Sequence, residues 1–177
     1  RSATAHHVVG MPANMRPGQG HAVVIRGDRE VIRITGVLLA DESSDTAVLR
    51  VSGKDLEPLP LSLDVQPGDN AWCLSDPRGV TGHFSAGVVN RIAAVPGNNT
   101  KEQQRLFVSA DWAPGSSGSA VLDECGNVIG HVARIRPLFG KPTATDNHQT
   151  TTPTLMTVNE AIPSSVILPL LQDMAGR

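Results

Sequence analysis

The eight residues PGSSGSAV at positions 114–121 carry the strongest signal in this 177-residue chain. Glycines on both sides of Ser117 permit a tight turn with backbone dihedrals that other residues avoid. Such a turn can direct the N–H groups of Gly115 and Ser117 at one point, where they would stabilise a negatively charged oxygen. Ala120 and Val121 then begin an apolar strand. Taken alone, the segment is equally consistent with a flexible Gly/Ser loop.

A serine hydroxyl becomes a good nucleophile only beside a base, and a carboxylate must hold that base in the correct tautomer. Two segments upstream supply candidates, TAHHVV at residues 4–9 and DTAVLRV at residues 45–51. His7 would be the base, because an imidazole titrates near neutral pH, and Asp45 would orient it. A single His or Asp is more often an ordinary surface, core or turn residue. The order His, Asp, Ser is one of the chain orders in which such triads occur.

Most of the remaining chain predicts β-structure, because Val- and Ile-rich segments alternate with Gly, Pro, Asn and Asp. A hairpin is expected over residues 21–35, and residues 53–69 are expected to link two halves of the molecule. One helix is expected from about Ser165 to Met174, with Pro169 delaying its start. The remaining predicted strands are 46–51, 70–75, 81–95, 105–110, 119–123, 127–135 and 154–158, and residues 137–153 are expected to form an exposed loop.

The composition excludes several classes of function. The chain is 40% apolar and 18% charged with a net charge of −2, so it is typical of a globular protein, and it has no long basic run of the kind that indicates nucleic-acid binding. No apolar run approaches the roughly 18 residues that a membrane span needs. The chain begins without Met, which predicts a processed or truncated product. Cys73 and Cys125 could pair or stay free, but two cysteines without a CxxC do not predict a metal site.

The segments above resemble the trypsin-like serine peptidases, in particular the bacterial Deg/HtrA-like branch without a PDZ segment. The Ser loop resembles the family's P-G-x-S-G-G-x-V, and residues 45–51 resemble its D-x-A-V-L-x-V strand. Residues 4–9 are similar to the stretch around the family's catalytic His. Because two valines follow His7 directly, as in the family, we prefer it to His6. Weaker matches lie at residues 68–69, 76–79, 87–89, 126–130 and 161–164.

The resemblance implies an all-β fold of two six-stranded barrels with a C-terminal helix, and a triad in the cleft between the barrels. Residues 1–60 would form the first barrel and residues 61–177 the second barrel with the helix, together one peptidase domain. His7 would act as general base and acid, Asp45 would orient it, and Ser117 would form an acyl-enzyme. The N–H groups of Gly115 and Ser117 would form the oxyanion hole. The substrate would be a polypeptide, the location extracellular or periplasmic, and no cofactor or metal would be required.

The sequence departs from the family at its beginning, where only six residues precede His7. The first barrel is therefore expected to be incomplete at the N-terminus, which leaves open strand edges. The alternative function is a protease-like domain without activity, used for binding or structure. An esterase is disfavoured, because the serine is followed by a strand and not by a helix.

Substrate preference is the least determined feature. Asp111 lies six residues before Ser117, the offset at which trypsin places the acid of its specificity pocket, and this would favour Arg or Lys before the cut. An ordinary loop Asp is the competing interpretation. His131 lies on the strand expected to line the pocket, although strand alternation could turn it to either side. Oligomeric state stays open.

Overall fold

The computed structural model describes residues 2–9, 23–25, 31–53, 56–96, 102–144 and 150–175. In chain order, the strands of these residues are β1 (Ser2–Ala5), β2 (Val23–Ile25), β3 (Val31–Asp41), β4 (Thr46–Val51), β5 (Asn70–Ser75), β6 (His83–Pro96), β7 (Glu102–Val108), β8 (Ala120–Leu122), β9 (Val128–Phe139), β10 (Thr143–Ala144), β11 (Thr150–Thr151) and β12 (Thr154–Pro163). The helices are α1 (His6–Val9) and α2 (Ser164–Ala175), and Pro77–Gly79 form a 3-10 turn.

The first four strands form an antiparallel sheet in the order β1-β4-β3-β2. β4 lies between β1 and β3, and its first four residues are buried, so it is the central strand of this half. Ala5 pairs with Thr46 at one end of the β1–β4 ladder. Because this pair holds the start of β4 beside the end of β1, the turn before Thr46 lies against the helix that follows Ala5.

The second half is a closed six-stranded barrel in the order β12-β7-β6-β5-β8-β9. Its interior is apolar and includes the fully buried side chains of Leu106, Val121 and Ala161, with Trp112 only 7% exposed. Closure of the barrel removes the strand edges that an open sheet would present. The loop around Ser117 leads directly into β8 and is therefore supported by this barrel.

Helix α2 follows β12 directly and covers one outer face of the barrel. Ile167 packs against Ala133 and Ile162 in a second apolar cluster. The predicted helix is confirmed, but the expected delay at Pro169 is wrong, since the helix begins at Ser164 and continues through the proline. Pro169 is exposed and is the sixth residue of the helix, where the absence of its N–H removes one hydrogen bond, to the carbonyl of Ser165.

The prediction of an all-β molecule with a C-terminal helix is confirmed. Predicted strands 46–51 and 70–75 have the observed bounds of β4 and β5. β2 and β3 pair antiparallel as the predicted hairpin, with Ile25 opposite Val31. The described residues of the predicted linker form no strand apart from a single bridge between Leu61 and Val128. The division of the chain at residue 60 stays a prediction.

Candidate active site

The imidazole of His7 and the carboxylate of Asp45 are in direct contact. His7 Nδ1 lies 2.8 Å from Asp45 Oδ2 and 3.0 Å from Oδ1. Asp45 Oδ1 also accepts the backbone N–H of His7 at 3.0 Å, and the Asp45 carbonyl accepts the N–H of His6. Three contacts of the carboxylate and one of the backbone carbonyl therefore fix Asp45 to the first turn of α1, whose N–H groups would otherwise lack partners.

The backbone at Asp45 explains how the carboxylate reaches the helix. Asp45 has a φ of +54°, a left-handed conformation that Asp adopts more readily than most residues. It ends the turn between β3 and β4, where its N–H donates to the carbonyl of Glu42. The side chain of His7 is 48% exposed and that of Asp45 is 23% exposed, so the histidine faces solvent and the acid lies behind it.

The loop around Ser117 lies against β1, the strand that leads to His7. Gly118 has a φ of +84°. A Cβ atom on this residue would overlap Thr4 Oγ1 and would stand 3.0 Å from the nitrogen of Ala5. The backbone N–H of Gly118 donates to the carbonyl of Val132 on β9 at 2.8 Å. Glycine is therefore required at residue 118, since any side chain would push the Ser117 loop away from the histidine segment.

Among the three serines of the loop, the structure distinguishes Ser117 from Ser116. Ser116 is fully buried, and its hydroxyl donates to Ser75 Oγ at 3.0 Å, so it holds the loop to the barrel. Ser117 is partly exposed, and within the described part of the chain its hydroxyl has no hydrogen-bond partner. No hydrogen bond joins Ser117 Oγ to His7 among the described residues. Its role as nucleophile stays a prediction.

Gly115 occupies a position where the backbone approaches a neighbouring turn. Its φ is +106°, and a Cβ atom there would stand 2.7 Å from the carbonyl oxygen of Asp76. The preceding Pro114 accepts the N–H of Arg78 from that same turn at 2.8 Å. Within the described ranges, neither the N–H of Gly115 nor that of Ser117 donates a hydrogen bond. Both donors therefore remain available to an oxyanion.

The two residues predicted for the substrate pocket differ in environment. Asp111 is exposed, and no ion pair involves it in the part of the chain that the structure describes. His131 is 3% exposed, and its Nε2 lies 3.1 Å from Thr46 Oγ1, between the barrel and β4. Burial lowers the pKa of His131 to about 4, so the ring is neutral at physiological pH. This favours a packing role, and both pocket assignments stay predictions.

The described residues hold no group of three or more metal-binding side chains, and none of their helices is long and apolar enough to cross a membrane. A pocket of about 460 Å³ lies beside Asp69 and Glu124 and contains no residue of the predicted triad. Both cysteines are free, and burial raises the pKa of the Cys73 thiol to about 11.

One charged cluster was not predicted from the sequence. Glu160 on β12 is fully buried and contacts Arg134 and Arg136 on β9. The two arginines are two residues apart on a strand, so the sequence could have placed them on one face. Their acidic partner could not have been identified, because Glu160 lies 26 residues after Arg134 and 24 residues after Arg136, and the contacts depend on how β9 and β12 pair.

Comparison with known proteins identifies relatives over most of the chain. The family model of the trypsin-like peptidase domain matches residues 2–130. The chloroplastic Protease Do-like 5 of Arabidopsis thaliana is 28% identical over 136 residues, which are 72% of this chain and 42% of that protein. The putative serine protease HhoA of Synechocystis sp. is 32% identical over 103 residues, 54% of this chain and 26% of that protein. The chain thus spans less than half the length of these relatives.

Solved structures with the same fold include the HtrA-type protease AlgW with a decapeptide. It has a TM-score of 0.76 and 21% identity, covering 99% of this chain and 48% of that one. The serine endoprotease from Yersinia pestis has a TM-score of 0.66 and 17% identity, covering 97% and 52%. At these identities the likeness concerns the fold.

Proposed function

The chain belongs to the trypsin-like peptidases, and we propose that it is a serine endopeptidase of the HtrA branch that cleaves polypeptides through an acyl-enzyme. In this proposal His7 is the general base and acid, Asp45 orients it, and Ser117 is the nucleophile. The observation that carries the proposal is the contact between His7 Nδ1 and Asp45 Oδ2 at 2.8 Å.

That contact supports a specific tautomer. A carboxylate at Nδ1 holds the proton on that nitrogen and leaves Nε2 with a lone pair, which can accept the proton of Ser117. When the proton arrives, Asp45 stabilises the imidazolium that forms. The same imidazolium can then protonate the leaving amine, so that the acyl group remains on Ser117 until water attacks it.

The position of Gly118 against Thr4 supports the role of Ser117, because it sets the serine loop beside the strand that ends at Ala5, two residues before His7. The hydrogen bond from Ser117 to His7 would form with substrate, since catalytic hydrogen bonds in free enzymes are often long or unformed. The N–H groups of Gly115 and Ser117 would receive the oxyanion. Each such donor contributes about 2.7–4 kcal/mol of transition-state stabilisation in known sites.

Polypeptide substrates are proposed because the fold is shared with AlgW, which was solved with a decapeptide. Two of the Arabidopsis relatives are chloroplastic proteases by name. An extracellular or periplasmic location for this chain stays a prediction.

A fluorophosphonate probe, which labels activated serines covalently, tests the proposal. We expect labelling of the protein at Ser117, and loss of labelling in Ser117→Ala and His7→Ala. Ser119→Ala and His6→Ala are the matched controls, because each removes the same group one or two residues away and should retain labelling. Absence of labelling in a folded sample would favour the alternative, a protease-like domain that binds without catalysis.

A further inference from the structure

A fully buried carboxylate holds two arginines on the outer face of the barrel. Arg134 Nε donates to Glu160 Oε2 at 2.7 Å, and Arg136 Nε donates to Glu160 Oε1 at 2.8 Å. Each carboxylate oxygen thus accepts a hydrogen bond from the guanidinium group of one arginine on β9. Burial of Glu160 is tolerable because both of its oxygens are paired with a cation.

The two guanidinium groups retain most of their donors. Only the Nε–H of each contacts Glu160, and the Nη groups of Arg134 and Arg136 have no partner among the residues that the structure describes. The side chains are 54% and 48% exposed. Their Nε contacts already restrict the side-chain rotamers, so an anion that binds the Nη groups meets donors that are held in place.

The surroundings of this pair are positively charged. Arg105 on β7 is only 6% exposed and feels the charges of both Arg134 and Glu160. Arg91 on β6 lies over the ring of Phe107, 5.9 Å from its centroid. Phe107 is the cross-strand partner of Arg91 on one side and of Glu160 on the other. Among the described residues, four arginines therefore lie around Glu160, and the charge of Asp45 also acts on Arg105, so that the positive charges of this group outnumber the negative ones.

The pair lies on the strand that supports the nucleophile loop. The carbonyl of Val132 accepts the N–H of Gly118, and the N–H of Val132 donates to the carbonyl of Ser119. The indole N–H of Trp112, from the same loop, donates to the carbonyl of Arg134 at 3.3 Å. Arg134 is two residues and Arg136 four residues beyond Val132, which corresponds to about 7 and 13 Å along the strand.

On the side away from β12, β9 has no strand partner there among the described residues, although the carbonyl of Arg134 accepts the indole N–H of Trp112. β8 pairs with β9 only as far as His131, and beyond that residue β12 is the one strand that pairs with β9 in the described ranges. An extended peptide can add to such an edge, and its residues then point to the same face as the strand residues directly opposite them. A substrate side chain opposite Arg134 or Arg136 would therefore lie beside a guanidinium.

We propose that Arg134 and Arg136, held by Glu160, form a subsite for an acidic side chain of the polypeptide substrate, within a few residues of the cleaved bond. This inference rests on the proposed function and assigns a substrate class to the same cleft. Guanidinium groups match carboxylates in shape as well as charge. The competing interpretation is that the arginines serve only to neutralise Glu160. It leaves the free Nη donors and the additional positive charge without a role.

The first test uses the unmodified protein. A degenerate peptide library identifies a cleaved sequence, and versions of that peptide with Glu or Gln at single positions on either side of the cut are compared by kcat/KM. We expect the Glu peptide to be preferred by about two- to fivefold at low salt, with the preference reduced at high salt. Equal kcat/KM for the Glu and Gln peptides at low salt would overturn the subsite.

The second test removes the charges without leaving a buried anion. In the triple variant Arg134→Gln, Arg136→Gln and Glu160→Gln, we expect the preference for Glu to disappear while cleavage of the Gln peptide persists. Arg91→Gln is the matched control, because it removes an arginine of the same face that lies across Phe107 from Glu160. A preference for Glu that persists in the folded triple variant would overturn the proposal.

A binding measurement separates this inference from the proposed function. Fluorescein-labelled decapeptides of alternating Ala and Glu, or Ala and Gln, are titrated with the Ser117→Ala variant and followed by anisotropy. The alternation places every acidic group on one face of an extended strand. Tighter binding of the Glu peptide supports the subsite even if no peptide is cleaved and no serine is labelled. Equal binding overturns it even if the enzyme is active.

Discussion

Gly118 lies so close to Thr4 that a methyl group on residue 118 would overlap the threonine hydroxyl. Through this contact the loop that carries Ser117 rests on the strand that leads to His7. The two segments are more than 100 residues apart in sequence. The distance between the proposed nucleophile and its base is therefore set by a backbone contact that only glycine allows.

The first prediction is that Gly118→Ala reduces the rate of fluorophosphonate labelling by about 100-fold, because displacement by about 1 Å has effects of that size in active sites. The control is Gly126→Ala. Gly126 also has a positive φ, +82°, but a Cβ atom there would meet nothing within 4 Å. It should carry the same backbone strain and keep its labelling rate. Equal rates in the two variants would contradict the importance of the contact with Thr4.

The second prediction concerns Asp45. In Asp45→Asn the amide oxygen can still accept the backbone N–H of His7, so α1 is expected to remain in place. The amide N–H, however, would face Nδ1 and favour the tautomer that has its proton on Nε2. We expect labelling to fall by up to about 10⁴-fold at neutral pH, as in known triads with this change.

Asp41→Asn is the matched control for this variant. Asp41 caps the same turn through the hydroxyls of Ser43 and Ser44 and does not contact His7. Its substitution should leave labelling within a few-fold of the original rate. If both Asn variants lose labelling equally, the effect belongs to the turn and not to the tautomer of His7.

The third prediction is a loss of stability in acid that originates at His131. Burial lowers the pKa of His131 from 6.5 to about 4 in the folded state. The unfolded chain therefore binds this proton first, and the folded state loses relative stability as the pH falls from about 6.5 to about 4. The loss would reach roughly 3 kcal/mol at the lower end. Urea unfolding across this pH range measures it.

Replacement of the histidine checks the origin of that pH dependence. In His131→Gln the free energy of unfolding should change less with pH between 6.5 and 4, whatever its absolute value. His83→Gln, which removes a half-buried histidine from β6, should retain the original dependence. If His131→Gln keeps the full slope, another group is responsible for the acid sensitivity.

Sequence patterns predicted the parts of the fold that depend on local signals. β4 and β5 have clear Val- or Leu-containing segments between turn residues, and their bounds were predicted correctly. β1 was not predicted, because Thr4 is the one β-branched residue among its four and the strand owes its conformation to pairing with β4. Helix α1 has a sequence that favours a strand, and it forms where Asp45, 38 residues away, accepts its N–H groups.

In the candidate site, too, some residues could be predicted from local motifs and some contacts could not. The residues of the proposed triad could be named because each lies in a motif of its own. The contact of His131 with Thr46 and the pairing of Glu160 with two arginines could not be predicted, since both depend on the register between distant strands. The same is true of the packing of Gly118 on Thr4.

The most direct test of the account is the crystal structure of the protein after reaction with a fluorophosphonate. The account predicts a covalent bond from Ser117 Oγ to phosphorus, with the phosphoryl oxygen hydrogen-bonded to the N–H groups of Gly115 and Ser117. His7 Nε2 should then lie within about 3.2 Å of the reacted oxygen. An adduct on another residue, or an imidazole of His7 that stays out of reach of the modified serine, would contradict the account.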